Sequence, residues 1–166
     1  FRPFFSSAFP SRIRLDEIRW GGVELDEIPA LHGPKLLTAA EANYLQPNNL
    51  VFGVELHGEA RAYPKRILGW HELVTDTLGG DQITGVYCTL SGAMVVYKSH
   101  AGGVQHRLHN SGFLYRSAKL MYDEDTKSLW SGLTGRPVVG RLAEKDIELE
   151  RLPVVTTTWA EWRRRH

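Results

Sequence analysis

One cysteine in 166 residues leaves this chain unable to close a disulfide within itself, so its fold does not depend on an oxidising compartment. It also lacks any apolar run approaching the roughly twenty residues that span a bilayer. Charge of one sign is missing too. Twenty basic side chains against nineteen acidic leave a formal +1, and no overall field recruits nucleic acid or an anionic membrane. There is no GxGxxG, no P-loop and no GxSxG elbow, which removes the usual support for nucleotide-binding and hydrolase readings. The first residue is phenylalanine. The expectation is a fragment or processed product of a longer chain, with any signal peptide or membrane anchor upstream and an extracytoplasmic setting, periplasmic or membrane-associated, favoured.

What is present is the makeup of one globular domain, 42% hydrophobic and 23% charged. The opening FRPFFSSAFP carries four phenylalanines and two prolines without helical or strand period. It reads as an extended arm, residues 1–27, laid on an apolar surface that belongs either to a partner protein or to the chain itself. The domain proper is expected over 28–166. LDEI occurs twice, at Leu15–Ile18 and Leu25–Ile28, but without a third copy it is coincidence.

Thr38 and Glu41 form a capping box that predicts a short helix through TAAEANYL. LVFGVEL, His57-Gly58 and EARAY predict a two-residue β-hairpin. Pro64 suits the first turn of a helix through KRILGWHEL, where Ile67, Leu68, His71 and Val74 share one face, so His71 is expected toward the apolar side. From Gln82 onward QITGVYCTL, GAMVVYK, GVQHRLH, FLYRS, KLMYDE, SLW, PVVGRL and IELERL read as successive strands. Thr158 and Glu161 then cap a last helix, TWAEWRRR, whose arginines suit its C-terminal dipole. The predicted class is mainly β (α+β), an antiparallel meander with a barrel- or sandwich-like core and two or three short helices.

GEARAYPKRILGWHELVTDTLGG, GVYCTLSGAMVVY, SGFLYRSAKLMYDEDTKSLW and TTTWAEWRRRH follow one another in an order that resembles a large prokaryotic family known as domain of unknown function 3179. The resemblance covers roughly Ile28 to His166. It implies kinship without an activity. The family pattern Tyr-Cys-Pro-Leu-Cys-Gly-Thr reads here as Tyr87-Cys88-Thr89-Leu90-Ser91-Gly92-Ala93, so the first cysteine matches and Ser91 stands at the second. Two sulfurs two residues apart can share a metal ion or exchange as a disulfide, and a serine does neither.

His71 and Glu72 match the family's Trp-His-Glu block, and with Cys88 they make a candidate cluster of imidazole, carboxylate and thiol. Such a set either lowers a thiol pKa or supplies half of a zinc or copper site. The plainer accounts are a core histidine satisfied by a backbone carbonyl and a buried, inert cysteine. Ser111, in Asn110-Ser111-Gly112, either places a hydroxyl near the knuckle or marks a turn.

His106 and His109, three apart on a strand, are expected on opposite faces, and His57 and His100 in solvated turns. Asp123 to Thr126 lacks the spacing of a calcium loop and reads as a solvated hairpin turn. Trp70, Trp130, Trp159 and Trp162 are expected in the core or in helix packing, without the basic groove that a nucleic-acid platform needs. The leading functional reading is a non-catalytic module, subunit of a larger assembly, binding a partner protein through the aromatic arm or a small ligand. The alternative is a metal-binding or thiol-dependent redox protein using Cys88 and His71.

Overall fold

The computed structural model describes residues 4–5 and 8–166. After a 3-10 turn at Leu15–Glu17, β1 (Ile18–Trp20) and β2 (Leu31–His32) precede the hairpin β3 (Leu50–Leu56) and β4 (Glu59–Pro64). Helix α1 (Lys65–His71) leads into β5 (Leu73–Leu78), β6 (Asp81–Cys88), β7 (Ala93–Lys98), β8 (His100–Ala101) and β9 (Val104–Gln105). The second half holds β10 (Leu108–Tyr115), β11 (Ala118–Asp123), β12 (Leu129–Ser131), β13 (Pro137–Val139), β14 (Arg151–Leu152), β15 (Val155–Thr158) and α2 (Trp159–Arg165). The fold is mainly β and almost wholly antiparallel, as expected; the parallel exception is β2 beside β5.

Three sheets form the body, in the orders β15-β3-β4, β14-β7-β6-β5-β2 and β1-β10-β11-β12-β13. Side chains of a strand alternate between faces, and here both faces of β6 are covered. Ile83 and Tyr87 join Phe52, Tyr63 and Leu68 in one core, while Val86 joins Tyr97, Met121 and Trp130 in the next. A strand buried on both sides reads as a continuous apolar run, which is why QITGVYCTL shows no alternation. A third core lies on the outer face of β10–β13, where Leu120 and Tyr122 meet Phe4.

The described part of the aromatic arm therefore packs on its own chain. Phe4 is 2% exposed and sits edge-on to Phe113 and Tyr122, with ring centroids 5.9 and 5.6 Å away; Phe5 meets Phe113 at 5.2 Å. Phe1 lies outside the described residues. Within the same expected arm, β1 adds an edge strand to β10.

His57 and Gly58 both take positive φ, 50° and 80°, and close the predicted β3–β4 hairpin. Thr158 caps α2 by accepting from the Glu161 N–H. Several expectations are corrected. The Thr38–Glu41 capping box forms, but its residues make turns and no helix, because one turn before Pro47 offers too few hydrogen bonds to offset nucleation. Helix α1 stops at His71, since Glu72 adopts φ 58° and closes it as a left-handed cap. LVTDTL, rich in β-branched residues, then becomes β5. Trp70 is 81% exposed and not a core residue. Asp123, expected in solvent, is buried, and Asn110-Ser111-Gly112 is a bulge inside β10 and not a turn.

Candidate functional site

Cys88 is the last residue of β6, opposite Ala93 of β7, and the four-residue turn beyond it is closed by the Gly92 N–H on the Cys88 carbonyl at 2.8 Å. Gly92 takes φ 68°, which glycine tolerates and larger residues resist. The turn folds back over the sulfur. Burial pushes the Cys88 thiol up, but the Ser91 hydroxyl and the backbone N–H groups of Ser91, Leu90 and Lys119 stabilise the thiolate enough to bring it below its ordinary value. The side chain is nearly buried at 6% exposure.

Glu72 reaches the same place from the cap between α1 and β5. Its left-handed cap ends α1, and its carbonyl accepts the Tyr87 N–H at 2.8 Å, which pins it beside the end of β6. Its carboxylate accepts from Thr89 Oγ1 at 2.7 Å and pairs with the Lys119 ammonium. Lys119 arrives on β11 and is buried. Burial pushes its ammonium below the ordinary lysine range, and the Glu72 charge opposes that shift.

Asn110 completes the arrangement. Its Oδ1 accepts from Lys119 Nζ at 3.0 Å, while its Nδ2 donates to the carbonyls of Ile28 at 2.7 Å and His71 at 2.9 Å. One amide thus ties β11, α1 and the 21–28 segment together. The bulge at Gly112 allows that segment to approach: with φ 75°, a Cβ there would lie 2.4 Å from the Val23 carbonyl oxygen. What remains between these groups is a cavity of about 160 Å³, walled by Cys88, Glu72, Lys119, Asn110, Leu90 and Phe113.

Of the residues expected here, Cys88 and Glu72 line one cavity and Ser91 supports the sulfur. His71 and Ser111 do not line it. His71 Nδ1 donates to the Pro29 carbonyl at 2.9 Å, the backbone partner of the plainer account, but from a half-buried position and not from the core. Ser111 Oγ donates to the Leu120 carbonyl at 2.6 Å and stabilises the bulge. Among the described residues no three histidine, cysteine, aspartate or glutamate side chains gather in a geometry that would hold a metal ion. Sequence reasoning missed Lys119, Asn110 and Thr89. The available signals were a lysine inside the apolar strand KLMYDE, and an Asn-Ser-Gly inserted where a strand otherwise continues.

Residues 25–166 match the profile of the family described as "Protein of unknown function (DUF3179)". The chain belongs to this family. Searches of curated proteins and of solved structures each found no match. In this DUF3179 member the Cys88 cavity is one of several polar centres. His106, buried, has Nδ1 2.6 Å from Asp123 and Nε2 3.3 Å from the Ala101 carbonyl oxygen. His109, on β10, instead lies between Asp26 and Glu124 and stacks on Tyr122, so the two histidines stand in separate surroundings.

A second and larger concavity, about 510 Å³, opens between the 31–45 segment, β4, α1 and α2. Trp159 and Trp162 of α2 form part of its wall, and α2 lies so close to β3 that a Cβ on Gly53 would sit 2.1 Å from the Trp162 ring. Arg61 lines this groove and pairs with Asp76, which also accepts from Tyr63 Oη at 2.9 Å.

Proposed function

We propose that this domain is a non-catalytic binding module that captures a small electrophilic group, on a free ligand or on a partner protein of a larger extracytoplasmic assembly, at Cys88. The observation that carries this reading is a single thiol, with hydrogen-bond donors from its own turn, on the wall of a cavity that also presents a fixed carboxylate–ammonium pair. At about 160 Å³ the cavity falls below the roughly 300–1,000 Å³ of ordinary small-molecule sites, a size suited to a few heavy atoms or one side chain.

The hydrogen bonding favours holding over turnover. A general base must be free to take a proton at the reacting atom. Here Glu72 is engaged by Lys119 and Thr89, Asn110 by three partners, and the Nδ1 of His71 by Pro29. The thiolate remains as the group to form a bond: its sulfur attacks the electrophilic carbon, and the displaced group leaves with the bonding electrons.

Iodoacetamide provides the test, with Cys88 sulfur displacing iodide. We expect one adduct per chain by intact-mass spectrometry, forming at a rate whose pH midpoint lies below that of a free thiol, and none in Cys88→Ala. Repeated turnover of a peroxide or thioester by the native protein, lost in Cys88→Ala, overturns the non-catalytic reading. About one transition metal per chain that Cys88→Ala loses overturns electrophile capture instead, and assigns the thiol to a metal.

A further inference from the structure

The groove beside α2 has a character distinct from the Cys88 cavity. Its walls are mostly aliphatic and aromatic, among them Leu36, Leu37, Ala62, Ile67, Leu68 and Trp159. Leu36 and Leu37 are 50% and 47% exposed, an arrangement that leaves adjacent leucines in water at the lip of a concavity. Its volume of about 510 Å³ falls within the roughly 300–1,000 Å³ of small-molecule sites.

Its charge is one-sided. Lys35, Arg61 and Arg163 line it, and no aspartate or glutamate does. Arg61 is neutralised by Asp76 and Glu59. Lys35 and Arg163 make no ion pair among the described residues. The nearest carboxylates in sequence are engaged elsewhere, Glu41 with Thr38 and Glu161 with Arg164 and Arg165. An apolar trough with two unneutralised cations complements a molecule with an apolar body and one anionic end.

We infer that this groove is a binding site for a free, single-chain anionic amphiphile, an aliphatic or aromatic body bearing one carboxylate or sulfonate, with the anion between Lys35 and Arg163 and the body against Trp159 and the leucines. The site is independent of Cys88.

The probe is decanoate below its micelle concentration, titrated into the full chain and followed by tryptophan fluorescence and calorimetry, with 1-decanol as the uncharged comparison. We expect saturable one-to-one binding of decanoate. Lys35→Glu and Arg163→Glu, both at exposed positions, should each weaken it about 3–10-fold, as expected for surface charges, without changing decanol binding. Arg141→Glu, at an exposed position away from the groove, and Cys88→Ala should leave it unchanged. Absence of saturable binding overturns the inference, as does equal affinity for decanol and decanoate with no response to the two charge reversals. Binding to anionic phospholipid vesicles without binding to free decanoate overturns it too, and identifies a membrane surface as the occupant.

Discussion

Two buried carboxylates leave neighbouring points on the same stretch of chain and do different things. Glu72, at the cap before β5, and Asp76, within β5, each pair with a cation from another strand and each accept a hydroxyl, Thr89 in one case and Tyr63 in the other. The Glu72–Lys119 pair stands at the wall of a small polar cavity beside a thiol; the Asp76–Arg61 pair underlies a wide apolar groove. The difference lies in what the cation can reach. Among the described residues Lys119 has Glu72 and Asn110 as its acceptors, whereas Arg61, paired with Asp76, also reaches Glu59 on the outside. A buried pair with a second, outer acceptor is a brace, and one with no outlet is a fixed dipole in a cavity.

The two pairs should differ most when their cations are removed. Lys119→Met strands Glu72 and the Asn110 carbonyl oxygen, and denaturant unfolding should register a loss of about 3–5 kcal/mol. Arg61→Met should cost less, about 1–3 kcal/mol, because Asp76 keeps hydrogen bonds from both Tyr63 and the Thr77 N–H, whereas Glu72 keeps only that from Thr89 and the Asn110 oxygen also loses its donor. Equal losses would mean that the donors left on Asp76 contribute nothing.

Gly53→Ala separates the two regions. Its methyl would enter the Trp162 ring, so α2 must shift, at a cost of about 1–3 kcal/mol by overpacking. Decanoate binding should fall while iodoacetamide labelling of Cys88 stays unchanged. Loss of both would show that the groove and the cavity act as one.

Acid titration sharpens the picture through the third buried carboxylate. Burial pushes Asp123 up, but hydrogen bonds from His106 and the Thr126 N–H outweigh it and hold the group below the ordinary carboxylate range. Because the native value is depressed, the stabilisation is complete above the unfolded value near 3.8 and is lost as pH falls below that toward the native one. Thermal melts of the native protein should decline over that window, and Asp123→Asn should flatten the decline. The smallest effect belongs to Ser91→Ala. Stability should change by less than about 0.5 kcal/mol, as for a surface substitution, while the pH midpoint of Cys88 labelling moves upward because a donor to the thiolate is gone.

The sequence carried most of the fold because turn chemistry and strand composition are local. His57-Gly58 and the Thr158 cap are each decided within a few residues. Where β5 begins was not legible: KRILGWHEL keeps helical spacing to Val74, and only the left-handed backbone at Glu72 ends it. Half of the site was legible by the same logic. Cys88, Glu72 and Ser91 lie in conspicuous local blocks, but Lys119 and Asn110 reach them through strand pairings and a bulge far along the chain. Trp70 shows the limit of amphipathic reading on so short a helix. In barely two turns the apolar face is defined by Ile67 and Leu68, and a tryptophan two positions on points to solvent.

The pairing of β15 with β3 also bears on how the protein is made. Gly53 finds Val155, and α2 lies across the hairpin, only once synthesis has passed α2. Until then a ribosome-bound nascent chain displays the apolar face of β3–β4 and the open edge of β3, a surface prone to association. Closure of this sheet therefore waits for a segment far along the chain, and until then the edge of β3 is a surface for chaperones to cover.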